Sequence, residues 1–220
     1  MSIAVDKERG DDLAVWLAPS RTALCVIDIQ HDFAAPDGMM AGYGVDMGAV
    51  PAAIDKSRML ARAARKAGVP VIFIGLGTSP ETDSPAWKEW MRRRGQDADG
   101  SSAICRVGSP GAAFYDVKPE PGENIVLKPK YSAFHATGFD ELLKRKGIDT
   151  LLVCGLTTEC CVDCTVRDAF HRDYHVFIAE DACAAYGAEV HENALAALEM
   201  NCAILMAAEE ATAAWDESKE

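Results

Sequence analysis

Three segments of this chain carry side chains that could do chemistry together. In Leu151–Ala169 (LLVCGLTTECCVDCTVRDA) an apolar run is broken by Gly155. Thr157 and Thr158 then offer N-cap hydroxyls, and apolar residues recur at helical spacing through Val162, Val166, Ala169 and Phe170. A cysteine therefore sits in the first turn of a helix that starts where a buried strand ends. Unpaired backbone N–H groups and the helix dipole favour a thiolate there, so the expectation is a depressed thiol pKa and a nucleophile. Thr22–Phe33 (TALCVIDIQHDF) is a second apolar strand, its run ended by Asp28, and Ile125–Phe134 (IVLKPKYSAF) is a third, ended by Lys128. A carboxylate near a thiol accepts its proton, and a buried ammonium offsets the charge of both.

The elements that must position these groups alternate regularly. Strands are expected at 22–27, 69–74, 125–128, 150–154, 174–179 and 202–206, with helices near 50–67, 86–93, 137–146, 159–172 and 187–200. Such alternation implies right-handed crossovers and an α/β fold: a six-stranded parallel sheet with helices on both faces, in three layers. Asp28, Lys128 and the cysteine then fall at the carboxyl ends of strands, the edge at which open α/β sheets hold ligands.

At 220 residues, 49% hydrophobic and 25% charged, the chain suits one domain with a sizeable core. Residues 1–20 read as a polar arm, 76–124 as a long cover segment and 207–220 as an acidic tail. A formal charge of −12 argues against nucleic acid or an anionic membrane as partner. Arg92–Arg94 and Lys144–Lys146 run against that sign and read as solvated helix ends. There is no apolar stretch of membrane-spanning length and no apolar segment near the N-terminus, so a cytoplasmic protein is expected. Of the eight cysteines, Cys25, Cys154 and Cys202 read as small hydrophobes of strands. Cys160, Cys161, Cys164 and His171 invite a zinc hypothesis, but adjacent cysteines chelate poorly from one turn and no second C-x-x-C exists.

The three segments, in this order, resemble the isochorismatase-like cysteine hydrolases. That family combines a strand-end Asp, a Lys just before Tyr-Ser-x-Phe, and G-x-x-T-x-x-C-V, here Gly155, Thr158, Cys161 and Val162. The resemblance spans roughly residues 20–206. It implies Cys161 as nucleophile, Asp28 as general base and acid, and Lys128 as electrostatic partner. It also implies a cis Leu156–Thr157 peptide, with the N–H groups of Thr157 and Cys161 forming an oxyanion hole. Cys160 is one residue out of register and is expected to point away from the site, since helical neighbours diverge by about 100°.

Gln30, Asp32 and Phe33 match the family's Asp-x-Gln-x-Asp-Phe element, and Gln30, Phe33, Tyr131 and Trp87 are the candidate substrate contacts. Phe134 and Trp90 are weaker candidates. His31 is a lone loop histidine. The superfamily's nicotinamidases carry metal-binding histidines after the second strand, whereas Gly75–Asp83 (GLGTSPETD) has none, so no metal and no cofactor are expected. A cysteine nucleophile likewise disfavours vinyl-ether hydrolysis. The amide- and ureido-cleaving branch remains, most like ureidoacrylate and N-carbamoyl amide hydrolases, with a small-molecule substrate and a homodimer or homotetramer expected. Two readings of other classes compete: a noncatalytic scaffold of this fold, and a thiol redox protein that lacks C-x-x-C at the helix start.

Overall fold

The computed structural model describes residues 9–217. Its parallel sheet has six strands: β1 (Thr22–Ile27), β2 (Val71–Leu76), β3 (Asn124–Lys128), β4 (Thr150–Leu156), β5 (His175–Ala184) and β6 (Ile204–Met206). They lie in the order β3-β2-β1-β4-β5-β6. β1, β2 and β4 are buried along their whole length, which is why they read as continuous apolar runs rather than alternating ones. The order reverses between β1 and β4, and a reversal of this kind opens a crevice at the strands' carboxyl ends.

The helices are α1 (Arg9–Trp16), α2 (His31–Ala34), α3 (Met39–Gly42), α4 (Val50–Ala67), α5 (Pro85–Arg93), α6 (Ala98–Ser101), α7 (Phe139–Arg145), α8 (Asp163–Phe170), α9 (Ala188–Asn201) and α10 (Ala208–Glu217). One apolar cluster on one face of the sheet joins Leu24, Val26 and Phe73 to α4 and α10. A second, on the other face, joins Cys25, Ile27 and Ile72 to α7, α8 and α9. α4 has the bounds its sequence predicts. Val50, Ile54, Ser57, Leu60, Ala61 and Ala64 form its buried stripe, and Gly68, at φ 77°, closes it with N–H bonds to Ala64 and Arg65.

Several boundaries differ from the sequence reading for local reasons. β2 begins at Val71 rather than residue 69, because the Val69 N–H returns to the Ala64 carbonyl at 2.8 Å and Pro70 has no N–H for the ladder. β6 begins at Ile204 because the N–H groups of Cys202 and Ala203 both return to Leu198. Cys202 is thus a half-buried helix end, not a strand residue. The expected arm contains α1, with Leu13 and Leu17 buried, and residues 1–8 lie outside the described ones. In the acidic tail, α10 buries Ala208, Ala211, Ala214 and Trp215, and the Trp215 indole donates to the Leu17 carbonyl at 3.0 Å. The tail is thus a core helix rather than a loose end. Among the described residues no helix is long and apolar enough to cross a membrane.

Candidate active site

Asp28 follows β1 in a left-handed conformation (φ 49°), its N–H held by the Ile74 carbonyl of β2 at 2.8 Å. Lys128 ends β3, on the far side of β2 from Asp28, and its long side chain closes that separation. The Lys128 ammonium donates to Asp28 Oδ2 at 2.7 Å, to Cys161 Sγ at 3.3 Å and to the Lys130 carbonyl at 3.2 Å. All three of its donors are used, and Asp28 and Lys128 are fully buried. Burial alone would lower the lysine's pKa. The Asp28 carboxylate and the Cys161 sulfur outweigh it and hold the group charged.

The turn carrying Cys161 is not the ordinary helix start that the sequence suggests. Thr158–Val162 is a π-helical turn, with Val162 N–H reaching Thr157 O at 3.2 Å, and α8 follows it. Neither threonine hydroxyl caps it: Thr157 makes no side-chain cap bond, and Thr158 Oγ1 pairs instead with His191 Nδ1 at 2.8 Å. The Leu156–Thr157 peptide is cis. Gly155, at φ 121°, is a steric requirement, because a Cβ there would lie 2.0 Å from the Ile27 carbonyl oxygen.

The Cys161 thiol is pushed well above the usual thiol range, contrary to the lowering that its place in the chain suggested. A hydrogen bond with Cys160, burial and the Asp28 carboxylate raise it, and Lys128 opposes them incompletely. Position at a helix start is a weak influence against a neighbouring anion in a dry site. Asp28 Oδ1 is buried and, among the described residues, has no hydrogen-bond partner. A buried acceptor without a donor beside a neutral thiol is equipped to receive a proton.

These groups border a cavity of about 390 Å³. Asp28, Thr157, Cys160 and Cys161 form its reacting side, and Phe33, Tyr131 and Trp87 lie on its walls. Gln30 does not reach it. Its amide is buried, donating to the carbonyls of Leu76 and Ala112 at 2.9 Å each and accepting from the Leu76 N–H at 2.7 Å. Gln30 therefore pins the end of β2 to the Asp28 loop and is not a substrate contact. Asp32 acts similarly, its carboxylate accepting the Cys105 N–H at 2.7 Å, which ties the cover segment to the same loop. Phe134 belongs to the core, against Phe139 and Tyr174. Trp90 is exposed beneath the Arg94 guanidinium, and His31 pairs with Asp37.

Cys160 corrects a second expectation. It lines the same cavity as Cys161, because the wide π turn leaves both thiols bordering one space, and its thiol raises the pKa of its neighbour. Cys160→Ala should thus leave Cys161 as the alkylated residue while moving its alkylation profile to lower pH. Iodoacetamide labelling with peptide mapping across pH checks this, and an unmoved profile would count against the contact. Cys25 and Cys154 are buried within β1 and β4 as small hydrophobes, and neither they nor Cys164 border the cavity.

The rest of the wall escaped the sequence reading. Met40 comes from α3, Tyr186 from beyond β5, and Leu76, Thr78, Thr82, Asp83, Ser84, Ser102 and Ile104 from the end of β2 and the long segment after it. That segment covers this chain's own site. Its Asp83 is held by Arg106 at 2.8 Å and by Lys88 at 3.0 Å, and Thr78 N–H reaches Cys105 O at 3.2 Å. The only sequence signal was its length and its lack of periodicity. Among the described residues, no group of three or more His, Cys, Asp or Glu stands where it could share a metal ion.

The isochorismatase domain model matches residues 22–210, nearly the whole described chain. The chain belongs to the isochorismatase family. Among curated relatives, the ureidoacrylate amidohydrolase RutB of Methylobacterium radiotolerans is 33% identical over 195 residues, 84% of this chain and 76% of that protein. RutB of Azorhizobium caulinodans is 33% identical over 188 residues, 81% and 82% of the two chains. Among solved structures, a cysteine hydrolase of Pseudomonas syringae pv. phaseolicola superposes with a TM-score of 0.79 at 26% identity, covering 92% of this chain and 96% of that one. The six-stranded parallel α/β architecture is the one this family shares.

Proposed function

We propose that this protein is a cysteine amidohydrolase that cleaves a C–N bond in a small ureido or linear amide compound, with Cys161 as nucleophile. The observation that carries the reading is the buried set of Lys128 bonded to both Asp28 and Cys161, with Asp28 Oδ1 left open. The names of the curated relatives supply the bond type.

The resting thiol is neutral, so attack and deprotonation are coupled. As Cys161 Sγ bonds to the carbonyl carbon, its proton passes to Asp28, and the carbonyl oxygen becomes an oxyanion that the Thr157 and Cys161 N–H groups stabilise. The C–N bond then breaks, Asp28 returns the proton to the departing amine, and a thioester remains. Water gives a proton to Asp28 and its hydroxyl to the thioester carbon. The C–S bond breaks, and the sulfur recovers the proton. Lys128 stays charged throughout and keeps Asp28 and the developing thiolate tolerable in a dry site. Phe33, Tyr131 and Trp87 are assigned to substrate contact.

Ammonia release across a panel of ureido acids and simple amides tests the reading. Turnover of a ureido compound, abolished when Cys161 is alkylated, is expected. A panel with no turnover, or alkylation that maps elsewhere without loss of activity, would overturn it.

Prolonged EDTA treatment is expected to leave turnover unchanged, since the segment after β2 offers no histidine and Asp83 is committed to Arg106 and Lys88. Activity lost to EDTA and restored by zinc or manganese would contradict this. The protein is further read as one domain, cytoplasmic, and a homodimer or homotetramer. Eight free thiols among the described residues suit a reducing compartment. Trp16, Phe170, Met200 and Ile204 are exposed around the β6 edge of the sheet, an apolar surface of the kind that copies bury. Light scattering at micromolar concentration should give a multiple of the 23.6 kDa chain mass. A one-chain mass would refute the assembly.

A further inference from the structure

The charges on the cavity wall are matched except at two positions. Asp28 is neutralised by Lys128 at 2.7 Å, and Asp83 by Arg106 and Lys88 at 2.8 and 3.0 Å. Lys130 also lines the cavity, is exposed, and forms no ion pair among the described residues. Its backbone is fixed beside the reacting groups, because its carbonyl accepts from the Lys128 ammonium at 3.2 Å. Pro129, just before it, restricts the chain further. Thus the root of the Lys130 side chain is held near Cys161, while its flexible four-carbon stem lets the ammonium sweep the cavity mouth.

Much of the remaining wall is apolar, with Met40, Leu76, Trp87 and Ile104 among its residues. An ion entering such a space loses water, which strengthens its attraction to a cation already there and penalises any entrant that lacks the matching charge. The second unmatched charge, Glu159, also makes no ion pair among the described residues, and its field acts on Tyr186 and His191. A second anionic group on the ligand would meet that carboxylate unfavourably.

We propose that Lys130 is the specificity-determining residue of this site and binds a carboxylate of the substrate, so that the preferred compounds are ureido or amide monocarboxylates. The carboxylate pairs with the Lys130 ammonium at the mouth while the scissile carbonyl lies against Cys161. This rests on the amidohydrolase reading above. Lys130 takes no part in bond making or breaking, so its contribution appears in the relative use of charged and uncharged substrates.

The experiment compares 3-ureidopropionate with its neutral methyl ester in wild type, Lys130→Gln and Lys130→Arg. The wild type should favour the acid. Lys130→Gln should reduce the acid-to-ester ratio of kcat/KM about three- to five-fold through the KM of the acid, and Lys130→Arg should keep most of the preference. An acid-to-ester ratio that Lys130→Gln leaves unchanged would overturn the proposal. A second readout needs no turnover. Propionate, but not 1-propanol, should slow iodoacetamide labelling of Cys161 in the wild type, and Lys130→Gln should abolish that protection. Protection by propionate that survives in Lys130→Gln, or none in the wild type, would refute carboxylate binding by Lys130. If neither ureido compound is hydrolysed, the amidohydrolase reading fails on its own, and the protection assay still decides the role of Lys130.

Discussion

Cys161→Ser is expected to reduce hydrolysis by at least about 10⁴-fold while the fold and its thermal unfolding change little. The substitution exchanges one small polar atom for another in a buried position, so packing is nearly conserved. The hydroxyl is a far weaker acid than the thiol, and Asp28 cannot remove its proton at useful cost. Steady-state ammonia release measures the loss, and circular dichroism measures the fold. Retention of more than a few per cent of the activity would exclude Cys161 as the nucleophile and return attention to Cys160, the other thiol on the cavity wall. The wild-type thiol should label slowly at neutral pH and faster as pH rises beyond the usual thiol range, because its pKa is raised. Under the proposed mechanism turnover bypasses that requirement, since Asp28 would take the proton within the complex.

Lys128→Met is expected to damage both stability and chemistry. It removes the only cation bonded to Asp28 among the described residues and leaves a carboxyl group buried without a partner on either oxygen. Breaking a fully buried ion pair from one side costs roughly 3–5 kcal/mol. The thiolate that develops during attack then has no cation beside it. Hydrolysis should fall about 10²–10⁴-fold. The Cys161 alkylation profile should also move to higher pH, since Lys128 is the group that holds the thiol pKa down. Chemical denaturation reads the first effect and alkylation against pH the second. An unchanged alkylation profile would make Lys128 a structural residue. Asp28→Asn removes the base and leaves the buried Lys128 ammonium without its carboxylate, so it should lose turnover and stability together.

What the sequence by itself determined was everything carried by local pattern. β1 and α4 have their expected bounds because an unbroken apolar run and a regular helical stripe, closed by Gly68, are read within a few residues. Asp28, Lys128 and the cysteine pair were recognisable because each stands where such a run stops, and a parallel sheet gathers its strand ends at one edge. The tertiary structure decided what depends on neighbours distant in the chain. Gln30 looked like a substrate contact, but the amide and carbonyl of Leu76 claim it. Residues 207–220 read as an acidic tail, yet Trp215 and Leu17, 198 residues apart, share a buried hydrogen bond. The Cys161 pKa runs opposite to its helix-start position because the π turn sets Cys160 beside it and the sheet sets Asp28 close by. Periodicity fixes which face of an element is buried. It carries no information about which polar group from a hundred residues away will meet that face, and burial makes those meetings decide the chemistry.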